Sequence, residues 1–331
     1  MKLIGIEEHF LTTEVKDAWS AIGLEAADPS VAFHGGPLEK RLVDLAEERL
    51  SLMDETGLDM QVLSLTTPSL HDLGPNSVDL AHRANDAVAE AIARHPDRFQ
   101  ALATLPVAMP DEAAFELERC VRTLGFKGTM LCGRVGHRNL EHTDLLPIFQ
   151  SAAALKAPIL LHPRAPEKAV REAYYSGFSP QVDATFSCFG LGWHYDAGIQ
   201  FLRLVLAGHF DRFPDLQVIL GHWGELVLFY AERLANMDRV SGLTHSIATY
   251  FRRNLYVTAS GMFMPHYLEQ TARIVGRDRL LFSTNYPYQY RPGGNARRFL
   301  ENCGLDETEK RAFAHGNWER LTGNLSLGSN R

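Results

Sequence analysis

The run Lys2-Leu3-Ile4-Gly5-Ile6-Glu7-Glu8-His9-Phe10 opens the chain with apolar residues that lead straight into two carboxylates and an imidazole. On a β-strand the side-chain period of two sets Glu7 and His9 on one face at the strand's carboxyl end. The pair reads either as the charged tip of a surface strand or as half of a metal chelate. Which reading holds depends on whether later strands end in matching ligands.

The rest of the chain repeats the strand and follows it with helices. Apolar runs at Met60–Leu65, Phe99–Leu105, Phe126–Leu131, Pro158–His162, Leu216–His222, Leu255–Ala259 and Leu280–Thr284 read as seven further strands. Amphipathic segments predict helices over about Leu38–Thr56 (stopped by Gly57), Asn76–Arg94, Met109–Leu124, Asp144–Leu155 (with a break at Pro147), Trp193–His209, Gly224–Met237, Pro265–Val275 and Asp306–Leu321. Eight strands alternating with eight helices, with no linker-like or low-complexity stretch between halves, predict an α/β fold: a single (β/α)8 TIM barrel over residues 1–331.

In such barrels the chemistry sits at the carboxyl ends of the strands. The strand ends here carry Glu7 and His9, His162, His222 and Asn285. Each histidine alone has a bland reading as a satisfied core residue, but their common location points to one metal site. The segment from about 163 to 192, after the fifth strand, is the longest insertion and predicts a loop over the site. With its continuation it carries Tyr174, Tyr175, Phe178, Phe186, Phe189, Trp193, His194 and Tyr195, as walls for a flat ligand or as residues that pack the loop down.

Composition bounds the rest. With 45% hydrophobic and 22% charged residues and a net charge of −7, the chain gives no reason to expect a nucleic-acid or membrane partner. No basic region followed by an apolar run marks a leader, so a cytoplasmic location is expected. Cys120, Cys132, Cys188 and Cys303 lack metal-binding spacing and read as small buried hydrophobes. His34, His71, His137, His142 and His245 show no pattern and are expected in surface or capping roles.

A wider set of motifs carries a resemblance. Besides Glu7-Glu8-His9-Phe10, the chain holds Arg49 with Met53-Asp54, Arg83-Ala84-Asn85-Asp86, His95-Pro96-Asp97-Arg98-Phe99, Gly125-Phe126-Lys127-Gly128, Leu161-His162-Pro163-Arg164, Gly221-His222-Trp223-Gly224-Glu225 and Phe282-Ser283-Thr284-Asn285-Tyr286-Pro287. In order and spacing it resembles the metal-dependent amidohydrolase-2 group over nearly its whole length, and within it the nonoxidative aromatic-acid decarboxylases acting on γ-resorcylate, 2,3-dihydroxybenzoate and 5-carboxyvanillate. The resemblance implies one divalent ion, zinc or manganese, held by Glu7, His9, His162 and the strand-eight position. There the family pattern has aspartate and this chain has Asn285. It also implies a small aromatic acid as substrate and, by analogy, a homodimer or homotetramer.

The amide removes one negative charge from the site, which weakens metal retention and favours an anionic substrate. It also removes an acid, because an amide cannot deliver the proton that the family's aspartate is thought to supply. His222 is the candidate to take over, with Glu225 as its orienter or else as a carboxylate at the start of a helix near Gly224. Arg164 is a candidate clamp for a substrate carboxylate or a loop arginine paired with an acid. Arg49 aligns with an arginine that binds a substrate carboxylate in a related decarboxylase, or else makes a structural ion pair. Trp193 and His194 are expected nearest the ligand. Two other outcomes stay open at this point: a metal-dependent hydrolase or hydratase in which His222 acts as base, and an inactive member.

Overall fold

The computed structural model describes residues 1–326. Eight parallel strands form in the order the sequence predicts: β1 (Ile4–Phe10), β2 (Met60–Leu65), β3 (Phe99–Ala101), β4 (Thr129–Cys132), β5 (Ile159–His162), β6 (Val218–Leu220), β7 (Leu255–Thr258) and β8 (Leu280–Leu281). Regular pairing gives two arcs, β1-β2-β3 and β4 through β8. Backbone hydrogen bonds link the arcs at both seams. Ala103 N–H donates to Gly128 O at 2.8 Å on one side, and Ile6 N–H donates to Phe282 O at 2.9 Å on the other. The result is the (β/α)8 barrel.

Alternation along the strands sorts the apolar residues into two cores. Ile4, Ile6, Met60, Val62, Leu160, Ile219 and Leu281 fill the barrel interior. Leu63, Leu65, Ile159, Leu161, Val218 and Leu220 face outward to the helices. By that parity Glu8 rather than Glu7 should follow Ile4 and Ile6 inward. The register of β1 on β2 slips between Gly5 and Glu8, and the extra residue hands the inward face to Glu7 and His9. A bulge therefore aims Glu7 and His9 inward.

Several predicted helices differ in the structure, each for a local reason. The stretch 38–56 is two helices, Pro37–Val43 and Glu47–Thr56. The Asp44 side chain accepts from the backbone N–H groups of Ala46 and Arg49, and so caps the second helix by interrupting the first. Pro147 lies in the first turn of Leu146–Leu155, where its missing N–H costs nothing, so it opens that helix rather than breaking it. The insertion at 163–192 is not a plain loop: it contains the helices Lys168–Tyr174 and Pro180–Thr185 and leads into Gly192–Leu206. No helix begins at Gly224. The backbone from His222 to Leu226 runs through five successive positive φ angles, and helical turns resume only at Leu228. Among the described residues no helix is long and apolar enough to cross a membrane.

Candidate active site

Glu7, His9 and His162 converge at the carboxyl end of the barrel, with one donor atom from each lying within 4.8 Å of the others. All three are buried, and Glu7 and His9 have no exposed surface. Their other atoms are already fixed. Glu7 Oε2 accepts from Thr258 Oγ1 at 2.7 Å and from the Ser260 hydroxyl, which leaves Oε1 free at 3.6 Å from His162 Nε2. His162 Nδ1 donates to Pro163 O at 2.8 Å, and His9 Nδ1 lies 3.2 Å from Ser64 Oγ. Both rings thus turn Nε2 inward, as second partners of ligating histidines do. Burial, followed by the neighbouring His162, holds His9 well below its ordinary pKa, and burial lowers His162 as well. Neutral imidazoles are the form that binds a metal.

Glu7 Oε1, His9 Nε2 and Asn285 Oδ1 are buried and have no hydrogen-bond partner. Three unpartnered acceptors in one place would be costly unless a cation completes them. Gly221 keeps side-chain atoms away from the Glu7 oxygen, since a Cβ there would lie 2.9 Å from Ser260 Oγ and 3.2 Å from both Glu7 Oε1 and Glu225 Oε1. The donor set of carboxylate, two imidazoles and an amide oxygen fits a single zinc or manganese ion.

Beside this set stands a second one. His222 Nδ1 and His194 Nδ1 each lie 2.7 Å from an oxygen of Glu225, so one buried carboxylate bridges two imidazoles. These donors also lie within 4.8 Å of one another. Both carboxylate oxygens are already engaged by N–H groups, so this trio is a hydrogen-bonded relay rather than a second chelate. His194 Nε2 lies 3.1 Å from the Trp193 indole N–H and 3.3 Å from Phe189 O, which fix the ring from behind. Burial works against a charge on His222, but Glu225 outweighs it and raises the imidazole to about 9. Burial also works against a charged Glu225, and the two imidazoles outweigh that and lower it to about 2.

The relay rests on strained backbone. His222, Trp223, Glu225 and Leu226 have φ of 46°, 58°, 50° and 66°, with Gly224 at 96° between them. Left-handed residues other than glycine cost roughly 1–2 kcal/mol each. The turn is held by His222 N–H to Ser260 Oγ at 2.7 Å, by Trp223 N–H to Thr258 O at 3.0 Å and by the Trp223 indole to Met262 O at 2.8 Å. Its effect is to bring Glu225 back against His222. Glu225 is thus placed where it can orient His222, and no helix starts at Gly224 for it to cap.

Asn285 joins the two sets. It lies in the turn after β8 at φ 57°, with Nδ2 3.5 Å from His222 Nε2 and Oδ1 buried without a partner. Its amide can donate to a neutral His222 or, turned over, accept from a charged one, but it cannot release a proton.

Both arginines are held by neighbours within the protein. Arg49 is fully buried, and every guanidinium nitrogen is occupied: Nε by Asp44 O, Nη1 by Gln61 Oε1, Nη2 by His9 O and Arg41 O, at 2.7–3.0 Å. Its plane lies 4.6 Å from the centre of the Tyr286 ring. It braces the end of β1, with four of its five N–H groups engaged and no exposed surface. Arg164 pairs with Asp72 at 2.6 Å and Asp28 at 3.3 Å and donates to Arg134 O, which is the loop-arginine alternative. Trp193 does approach the cluster, its ring 6.2 Å from that of His162. His194 stands behind it, its ring 4.5 Å from that of His222 and its Nδ1 on Glu225.

Some residues were missed or misread. Thr258, Ser260 and Ser64 orient the ligands, and reading the ends of β2 and β7 as closely as the others finds them. Tyr288, whose ring lies 5.5 Å from His9, carries no sequence signal. His34 and His71 are buried rather than superficial: His34 Nδ1 lies 2.8 Å from the Tyr288 hydroxyl, and His71 Nε2 accepts from Cys132 N–H at 3.0 Å. His142 does cap a turn, by accepting from Asp144 N–H. The four cysteines are free and buried, as expected.

A model of the family described as Amidohydrolase matches residues 27–323. The chain belongs to the amidohydrolase family. A γ-resorcylate decarboxylase from Polaromonas sp. is 32% identical over 335 aligned residues, covering 96% of this chain and 97% of the relative. The solved 5-carboxyvanillate decarboxylase of Novosphingobium aromaticivorans, complexed with manganese and 4-hydroxy-3-methoxy-5-nitrobenzoic acid, superposes with a TM-score of 0.89 at 29% identity, covering 97% of this chain and 96% of that one. A dihydroxybenzoic acid decarboxylase from Polaromonas sp., with bound manganese and the inhibitor 2-nitroresorcinol, gives a TM-score of 0.84 at 30% identity and covers 97% of each chain. For an amidohydrolase with such relatives, the buried ligand set and the relay beside it are the parts from which to reason about chemistry.

Proposed function

We propose that the protein is a metal-dependent nonoxidative decarboxylase of a small hydroxy-aromatic carboxylic acid. The observation that carries this is the buried set Glu7, His9, His162 and Asn285, with three unpartnered acceptors, facing a histidine paired with a buried carboxylate. The relatives' names support the decarboxylase over the hydrolase or hydratase alternative.

Glu7, His9, His162 and Asn285 would hold a divalent zinc or manganese ion, which would supply positive charge to a substrate carboxylate and its ortho oxygen. Trp193, beside His162, and Tyr288, beside His9, are the aromatic side chains that would line the place of the ring. His222 Nε2 carries the proton to the ring carbon bearing the carboxylate. The carbon–carbon bond then breaks, CO2 leaves, and the bonding pair restores the aromatic ring. Glu225 holds Nδ1 of His222 and stabilises the imidazolium between turnovers, and His194 and Trp193 fix Glu225 from behind. With Arg49 and Arg164 engaged elsewhere, the substrate's single carboxylate has its countercharge at the ligand set.

The same reading places the enzyme in the cytoplasm as a homodimer or homotetramer with no nucleic-acid or membrane partner. Its test is to load the protein with manganese or zinc, offer a panel of 2-hydroxy- and dihydroxybenzoates, and follow CO2 and the phenol formed. Stoichiometric CO2 and phenol from at least one member is expected. No release across the panel, together with turnover of a lactone or ester, would establish the hydrolase instead.

A further inference from the structure

Glu8, the carboxylate between two ligands, is assigned no part in the site so far. It is fully buried, and both of its oxygens point across the seam to the turn after β8. Oε1 accepts from Thr284 N–H at 2.7 Å, while Oε2 accepts from Tyr286 N–H at 2.9 Å and from Thr284 Oγ1 at 2.5 Å. The two N–H groups are those on either side of Asn285. The residue between them has φ of 57°, a conformation that a non-glycine residue keeps only when its surroundings impose it. Next to this grip, His9 N–H donates to Tyr286 O at 2.7 Å. Gly5 makes the arrangement feasible, since a Cβ there would overlap Glu8 Oε1.

The geometry points to Glu8 as a positioning residue for the fourth metal ligand: its carboxylate clamps the peptides flanking Asn285 and so sets where the amide oxygen sits relative to Glu7 and His9. An amide oxygen is a weak ligand, and one displaced by an ångström contributes little, so placement matters more here than for a carboxylate. One strand segment, Glu7-Glu8-His9, then supplies two ligands and the ruler for another. The inference rests on the metal reading above.

The test measures manganese(II) binding to metal-free protein, by loss of the free-ion electron paramagnetic resonance signal, in four proteins: wild type, Glu8→Gln, Asn285→Ala and the double variant. In Glu8→Gln an NH2 replaces an acceptor, so one clamped N–H faces another donor. A roughly 10–100-fold weaker manganese affinity is expected, the usual scale for a residue that orients a ligand. In the Asn285→Ala background the same change should cost no further affinity, because nothing is left to position. Equal losses in both backgrounds, or no loss in either, would overturn the proposal. Thr284→Val, which removes only the hydroxyl bond, gives the same comparison in a milder form if Glu8→Gln fails to fold. Wild type that binds no manganese would overturn the metal reading along with this one, whereas wild-type binding with additive losses overturns the clamp alone.

Discussion

Replacing Arg49 with lysine separates a brace from a substrate clamp. Arg49→Lys keeps the charge but exchanges a planar fork of five donors for one ammonium. The guanidinium meets Asp44 O, Gln61 Oε1, His9 O and Arg41 O, and a single nitrogen at the end of a lysine reaches about two of these. At least two charge-assisted hydrogen bonds are lost, at about 1.5–3 kcal/mol each, or about 3–6 kcal/mol together. An unfolding entropy of roughly 2.1 cal/mol/K per residue over 331 residues gives about 0.7 kcal/mol/K, so Tm should fall by roughly 4–9 °C. Differential scanning calorimetry of the metal-free protein measures this without substrate. Manganese affinity should fall as well, because the His9 carbonyl loses its anchor. A Tm within about 1 °C of wild type, combined with a tenfold or greater rise in KM, would show that Arg49 reaches the substrate and that its buried contacts are incidental.

Other expectations follow from the ligand set and the relay. Asn285→Asp restores a carboxylate where Oδ1 now has no partner. Manganese affinity in calorimetric titration should rise about tenfold or more, worth about 1.4 kcal/mol, and an unchanged affinity would remove residue 285 from the ligand set. Glu7→Gln takes away the one carboxylate among the proposed ligands, and metal analysis after dialysis should find essentially none; a full complement would displace the site from the end of β1. Glu225→Gln leaves both imidazoles in place but removes the charge that holds a proton on His222. It should lower kcat by roughly 10²–10⁴-fold with KM little changed. An unaltered kcat would exclude His222 as the proton carrier.

The barrel was legible in the sequence because its strands are short apolar runs buried on both faces, and such runs stand out in any context. Strand ends were legible too, since charged or imidazole side chains after Ile6, Leu161 and Leu220 interrupt apolar runs. What lay hidden is what side chains do to backbone. The Asp44 cap that splits one helix, the slip in β1 and the left-handed turn at His222–Leu226 each depend on a bond between residues whose pairing no periodicity encodes. The roles of the arginines were hidden for the same reason. Arg49 and Arg164 look alike in sequence as charges near the site, and only the acceptors around them show that each is held by neighbours within the protein.

The seam between β1 and β8 has a consequence for how the protein comes into being. Glu8 and Thr284 are 276 residues apart in the chain, and the metal ligands divide across the same gap. On a ribosome adding about 5–20 residues per second, β1 leaves the exit tunnel long before its partner strand has been made. Until then the carboxylates of Glu7 and Glu8 lack their partners on β7 and in the turn after β8, beside apolar residues with one open edge. A nascent or truncated chain therefore has no assembled site to bind metal, and incorporation of the ion becomes a late event that reports completion of the barrel. Manganese retention is then a direct assay of whether a given preparation has joined its two ends.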